Sequence, residues 1–233
     1  MFVLTLPWTL FQSESRSAAE RYDPRPLDIA TVRAGSNVAF HWSHWLHSHK
    51  GPITAWLAPY EGDIADVNVN ELEFFKIAED AIDENGVWAT DRLMDNAHTW
   101  SAVIPADIKS GKYVLRQEFW LRIRGVGPQF YMTCFNFEVL GDGNSQPAGM
   151  PFPGAYEKDA PGLWFDLTSD ASYPPAGPPL YKSEYTVELE PNEFVILSPT
   201  NQGAEADAAY HEAQGRVLKF QEDTNTQIDV HGG

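Results

Sequence analysis

The stretch from Lys112 to Leu140 leaves this chain the least freedom in how it can fold. Tyr113, Leu115, Phe119, Leu121 and Ile123 fall on one side of an extended backbone, with Gln117 the one polar member. Arg116, Glu118, Trp120, Arg122 and Arg124 fall on the other side. A period of two is the mark of a half-buried strand, one face in a core and one toward solvent. Gly125-Val126-Gly127-Pro128 supplies a turn, and Tyr131, Thr133, Phe135, Phe137 and Val139 resume the alternation.

Shorter strands are predicted at Ile29-Ala30-Thr31-Val32, Val38-Ala39-Phe40-His41-Trp42 and Ile53-Thr54-Ala55-Trp56-Leu57-Ala58. Residues 72–79 alternate imperfectly and read as a strand or a helical turn. Residues 86–90 and 98–104 read as two strands of a hairpin. Many short strands between Gly, Pro and Asn turns, with almost no helical period, predict an all-β sandwich. Residues 141–183 are rich in Pro, Gly and aromatics and read as a long ordered surface segment. Residues 184–233 carry ten acidic residues against Arg216 and Lys219. Within them 185–189 and 194–197 read as an extra hairpin, and 204–220 has mixed helical potential. The chain thus divides into an atypical segment 1–29, a sandwich 30–183 and an acidic C-terminal extension 184–233.

Charge narrows the partners. A formal net charge of −17 speaks against nucleic acid, whose phosphates require clustered Lys and Arg, and against anionic membrane surfaces. A neutral polysaccharide would not be repelled. Cys134 is the single cysteine, so no intrachain disulfide can form. The apolar start Met1-Phe2-Val3-Leu4-Thr5-Leu6 lacks a basic region before it and is a poor signal peptide. No stretch approaches the roughly 18 apolar residues of a membrane-spanning helix.

Four of the seven histidines lie between His41 and His49, in His41-Trp42-Ser43-His44-Trp45-Leu46-His47-Ser48-His49. Neutral imidazole is the commonest protein ligand for a transition metal. Histidines on a loop at a strand end are also often solvated or hydrogen-bonded packing partners, and the cluster alone leaves both readings open.

Several motifs in order carry a resemblance. They are Ser48-His49-Lys50-Gly51-Pro52 with Trp56-Leu57-Ala58-Pro59, then Phe74-Phe75-Lys76-Ile77-Ala78 with Gly86-Val87-Trp88-Ala89. Next come Ile104-Pro105, Ser110-Gly111-Lys112-Tyr113-Val114-Leu115-Arg116 with Glu118, and Gln129-Phe130-Tyr131 with Cys134 and Asn136. Ala176-Gly177-Pro178-Pro179-Leu180 closes the series. Over about residues 30 to 183 the chain resembles the fungal lytic polysaccharide monooxygenases of auxiliary activity family nine, formerly family 61 glycoside hydrolases.

The resemblance implies an immunoglobulin-like (fibronectin III-like) antiparallel β-sandwich with long loops, secreted and monomeric. One copper ion would sit on a flat face that docks on cellulose or a related β-glucan, and an external electron donor would drive oxidative cleavage. It implies that His49 is a copper ligand, Tyr131 the distant axial ligand and Gln129 the neighbour that hydrogen-bonds an oxygen species near the metal. Gln129 and Tyr131, two apart on one strand, point the same way. Tyr173 falls where the family places a surface tyrosine for sugar stacking.

The departures are equally specific. No histidine precedes His41, so the family's N-terminal ligand has no counterpart in the sequence. The cysteine that pairs in the family with the position of Cys134 is absent, and Tyr60 and Ile64 stand where many members carry a second cysteine pair. Ile123 aligns with an outer-sphere histidine and cannot transfer a proton. Two functions follow: copper-dependent oxidative cleavage, or a catalytically silent polysaccharide- or cell-wall-binding relative with an incomplete copper site.

Overall fold

The computed structural model of the chain describes residues 4–6, 29–42, 45–123, 127–166, 172–183 and 193–198. Among the described residues ten strands, β1 (Leu4–Leu6), β2 (Ala30–Arg33), β3 (Asn37–Trp42), β4 (Ile53–Tyr60), β5 (Glu73–Asp80), β6 (Thr99–Val103), β7 (Gly111–Ile123), β8 (Gly127–Leu140), β9 (Met150–Pro151) and β10 (Glu193–Ser198), form two sheets, and one short α-helix, α1 (Ala89–Asp95), precedes β6. The larger sheet runs β1-β8-β7-β4-β5-β9 with β2 also on β8, and the smaller runs β10-β3-β6. The long hairpin is its spine, in register from Gly111 opposite Val139 to Ile123 opposite Gly127.

The inner faces meet as the alternation predicts. Val38, Phe40, Ala102 and Ile104 of the smaller sheet side pack against Leu57, Leu115, Phe135 and Phe137 of the larger one. Two pairings depart from a purely antiparallel sandwich: β2 lies parallel to β8 and β10 parallel to β3. The strand Glu193–Ser198 therefore joins the smaller sheet, while its expected hairpin partner 185–189 and the segment 204–220 lie outside the described residues. The hairpin expected at 86–104 is half replaced. Residues 89–95 are helical, and Trp88 is joined to Ile82 by an isolated bridge.

The outer face of the large sheet corrects the half-buried reading. Arg116 is 6 % exposed, Glu118 0 % and Trp120 2 %. The reason is the Pro- and aromatic-rich residues 147–166 and 172–176, which lie over that face rather than in solvent. Phe152 and Tyr156 pack on Trp56, and Leu163, Phe165 and Tyr173 pack with Trp88, Trp120 and Phe130. The charges are paired as burial demands. Both Arg116 Nε and Nη2 donate to Glu118 Oε2, the former at 3.1 Å. Tyr156 donates its hydroxyl to Glu118 Oε1 at 2.5 Å, and the Arg116 guanidinium lies 4.1 Å over the Phe152 ring. Burial, reinforced by the Glu118 charge, pushes the Tyr156 phenol well above its usual value. Lys76 is likewise buried and donates to Glu79 Oε2 at 2.9 Å and to the Ala176 carbonyl at 2.7 Å, tying the covering segment to β5.

Candidate functional site

One end of the sandwich gathers the residues singled out in the histidine stretch and in β8. Phe119 of β7 lies opposite Tyr131 of β8, and Leu121 opposite Gln129. Trp45, 6 % exposed, fills the space between this strand end and the loop before β4. Its ring stacks on Phe119 at 4.7 Å and meets Tyr131 edge-on at 5.3 Å. Its indole N–H donates to the His49 carbonyl at 2.7 Å, which fixes the backbone from which His49 projects. Trp45 escaped the sequence reading. Its signal was present, an aromatic inside a histidine-rich loop, but nothing distinguished it from Trp42.

The loop is also clamped from behind. A Cβ on Gly51 would lie 1.9 Å from the Trp120 carbonyl oxygen, so only glycine allows the backbone to run this close to β7. The Gly51 N–H donates to Thr90 Oγ1 at 3.0 Å, and Lys50 pairs with Asp91 at 3.0 Å. Ser48-His49-Lys50-Gly51-Pro52 is thus a seat between β7 and α1.

On that seat the His49 ring lies 6.0 Å from the Tyr131 ring, and Tyr131 donates its hydroxyl to Gln129 Oε1 at 3.2 Å. All three side chains are half-buried. The His49 Nδ1 is 3.0 Å from Ser48 Oγ, which leaves Nε2 as the ring nitrogen for a ligand. Burial lowers the imidazole pKa below 6.5 and raises that of the Tyr131 phenol, so both are neutral near pH 7. Neutral imidazole is the form that coordinates a metal.

The other histidines of the stretch do not join this group among the described residues. His41 Nδ1 is 3.0 Å from Thr99 Oγ1, and His47 is exposed. His44 lies outside the described residues. Among the described residues no group of three His, Cys, Asp or Glu side chains converges to hold a metal. As a copper site the described donors are right in kind and short in number: one imidazole and one phenol do not by themselves fit the ion. The Ile123 backbone pairs with Gly127, and its side chain is not among those described.

Tyr173 is placed differently from expectation. It is 8 % exposed, packed against Trp88 at 5.6 Å, Trp120 at 6.0 Å and Phe165 at 5.4 Å. Because the covering segment folds inward onto the outer sheet face, this ring is core and presents no face to a sugar. Cys134 is a half-buried free thiol opposite Arg116 on the same sheet face.

The chain is thus a two-sheet β-sandwich with a seated imidazole, a strand tyrosine and a glutamine gathered at one end. The sequence model of Auxiliary Activity family 9 (formerly GH61) matches residues 11–175, beginning upstream of residue 30. The chain belongs to this family of lytic polysaccharide monooxygenases. It is 42 % identical over 161 residues to the family's monooxygenase C of Geotrichum candidum, covering 67 % of this chain and 30 % of that one. It is 39 % identical over 164 residues to monooxygenase F of Malbranchea cinnamomea, covering 67 % of each. The chain spans between 30 and 55 % of the length of three Geotrichum relatives it matches.

Among solved structures it resembles a glycoside hydrolase family 61 member from Hypocrea jecorina, with a TM-score of 0.63 and 34 % identity over 66 % of this chain and 71 % of that one. It also resembles a cellulose-active polysaccharide monooxygenase from M. thermophila, with a TM-score of 0.59 and 26 % identity over 66 % and 75 %. The β-sandwich expected from the sequence is the fold of these structures.

Proposed function

We propose that the protein is directed at cellulose or a related β-glucan and meets the polymer with the end of the sandwich that carries His49, Tyr131 and Gln129. The observation that supports this reading most directly is the convergence of those side chains, from a loop and from β8, on a seat built by Gly51 and Trp45. A merely structural histidine would not require a backbone clamped from three sides with one ring nitrogen left over. The uncharged site and the acidic chain suit a neutral polymer. The family's secreted relatives make an extracellular monomer the setting, with an external electron donor where oxidation occurs.

Copper-dependent oxidative cleavage of that polymer requires nitrogen donors beyond His49. With them, His49 Nε2 would be one ligand and the Tyr131 oxygen the distant one, and copper would supply the oxygen chemistry. The half-filled donor set favours a second reading, a catalytically silent member that binds glucan through the same face. One experiment separates the two. Copper is titrated into the protein and followed by electron paramagnetic resonance, and cellulose incubated with copper-loaded protein and a reductant is searched for oxidised oligosaccharides. Tight binding, a type-2 copper spectrum and oxidised products establish the oxidative function. Adsorption to cellulose without either establishes the silent one, and absence of any adsorption to β-glucans overturns both.

A further inference from the structure

On this acidic chain the sign of the charge reverses in one place. Lys76, Lys109, Lys112 and Lys182, four of the seven lysines, line two adjoining cavities, and among the described residues Glu61 is the one carboxylate on either lining. The cavities, of about 70 and 400 Å³, share Phe75 and Pro147 and so form one groove across β5. Both walls are fixed to that strand. On one side Met150 and Pro151 pair with Phe74 and Glu73. A Cβ on Gly149 would lie 2.4 Å from the Glu73 carbonyl carbon, so this wall runs as close as glycine permits. On the other side the Tyr181 N–H donates to the Lys76 carbonyl at 2.8 Å, and the ring meets Phe75 edge-on at 5.6 Å. The Tyr181 hydroxyl donates to Asp107 Oδ2 at 2.8 Å. A groove with both walls bonded to its floor is preorganised and loses little entropy on being filled.

The lining specifies the chemistry of an occupant. The larger cavity is apolar, with Met150 and Leu180 on opposite walls, 40 and 37 % exposed. Single exposed apolar residues are ordinary; two facing one cavity make a receptive surface. Lys109 and Lys112 are exposed on the smaller cavity and Lys182 on the larger, whereas Lys76 is buried and already paired with Glu79. Among the described residues Lys109 and Lys182 have no ion-pair partner. An occupant must therefore bring carboxylates and apolar side chains together. A neutral glucan has no carboxylate, and an anionic polysaccharide has no aliphatic side chain to fill the cavity. A second copy would bring a formal −17 against −17 and be repelled. An acidic peptide segment with apolar residues meets both demands. Its place is also distinct from the polymer's. Gly111 of the smaller cavity lies opposite Val139, and Leu121 lies opposite Gln129, about 30 Å further along β7.

We propose that this groove docks an extended acidic segment of a partner protein, with its aliphatic side chains between Met150 and Leu180 and its carboxylates on Lys109 and Lys182. The proposal does not depend on the glucan-directed reading above, because the groove lies at the far end of β7 from His49. No bond is made or broken there; the groove holds the partner while the other end of the sandwich stays open.

The test is calorimetry of the full chain at low ionic strength with a synthetic peptide in which leucines alternate with threonines between glutamate pairs at both ends. Circular dichroism confirms that each variant is folded. The parent should bind, and raising the salt to about 0.5 M should weaken binding severalfold. Lys109→Glu and Lys182→Glu should each weaken it about fivefold. Lys158→Glu, the same change of net charge on an exposed lysine elsewhere, should leave it within about twofold. Leu180→Asp, which puts a charge into the apolar cavity, should abolish it. Carbodiimide cross-linking of the parent, read by mass spectrometry, should join Lys109 and Lys182 to the peptide. No binding by the folded parent, or undiminished binding by both lysine variants, overturns the proposal and leaves the glucan-directed reading standing. Tighter binding of polygalacturonate, weakened by the same variants, overturns it in favour of an anionic polysaccharide. Cross-links from those lysines only to a second copy overturn it in favour of a contact between two copies. Should a variant fail to fold, the cross-links of the parent still decide.

Discussion

Replacing Gly51 by alanine tests whether the seat beneath His49 is as tight as the geometry states. The added Cβ would meet the Trp120 carbonyl oxygen at 1.9 Å and its carbon at 3.0 Å, both backbone atoms of β7 that cannot rotate away. An ordinary contact of this kind is about 3.3 Å, so the loop must retreat by roughly 1.4 Å. Overpacking of this sort costs about 1–3 kcal/mol. The retreat also strains the two Gly51–Thr90 hydrogen bonds, at 3.0 and 3.4 Å, each contributing about 1 kcal/mol. Against this, alanine restricts the unfolded chain and returns about 0.4–1 kcal/mol. The net expectation is a loss of about 2–4 kcal/mol. At about 2–4 °C per kcal/mol for a domain of this size, Tm should fall by about 5–15 °C. Thermal unfolding followed by near-ultraviolet circular dichroism, which reports the buried tryptophans, reads this directly. A variant that melts within about 1 °C of the parent, inside the scatter expected of a surface change, would show that the loop is not seated on β7 and that His49 is not fixed in the way argued.

Three further outcomes are expected. Glu118→Ala leaves the Arg116 guanidinium buried without its partner and should cost about 3–5 kcal/mol in denaturant unfolding, whereas the apolar pair Arg116→Met with Glu118→Leu should cost much less; equal costs would mean that the pair is not buried. The His49 imidazole, held below 6.5 by burial, binds fewer protons in the folded chain than in the unfolded one. Its contribution to stability is therefore present above pH 6.5 and is lost as pH falls through the folded pKa; a ring-proton titration by NMR with a midpoint at or above 6.5 would contradict this. The Cys134 thiol is pushed up chiefly by burial, with Arg116 opposing and Glu118 reinforcing, so it should react slowly with a disulfide reagent at pH 8 and rapidly in guanidinium, and equal rates would refute its shielding.

What the sequence made legible follows its periodicities. The spine of β7 and β8 announces itself because an alternating run of that length has one extended solution. Its outer face was misread for a physical reason: Arg116 and Glu118 look solvent-facing until a second layer is known to cover them, and that layer, 147–166 with 172–176, carries no period of its own. Helix α1 was missed because seven residues, Ala89–Asp95, are too few to establish a helical period. At the site, the spacing of Gln129 and Tyr131 was readable as two side chains on one side of a strand. Their meeting with His49 was reachable through family resemblance alone, since loop and strand are far apart in the chain. Tyr173 shows the limit of that route, because a motif position carries no information about which way the covering segment folds.

On the proposed function the polymer meets the end of the sandwich carrying His49, Tyr131 and Gln129. Backbone amide shifts of the isotope-labelled protein, followed as cellohexaose is added, test it most directly. Perturbations centred on His49, Gln129 and Tyr131 are expected. Perturbations centred instead on the cavity of about 400 Å³ beside Phe74, Met150 and Leu180, or none at saturating sugar, would contradict it.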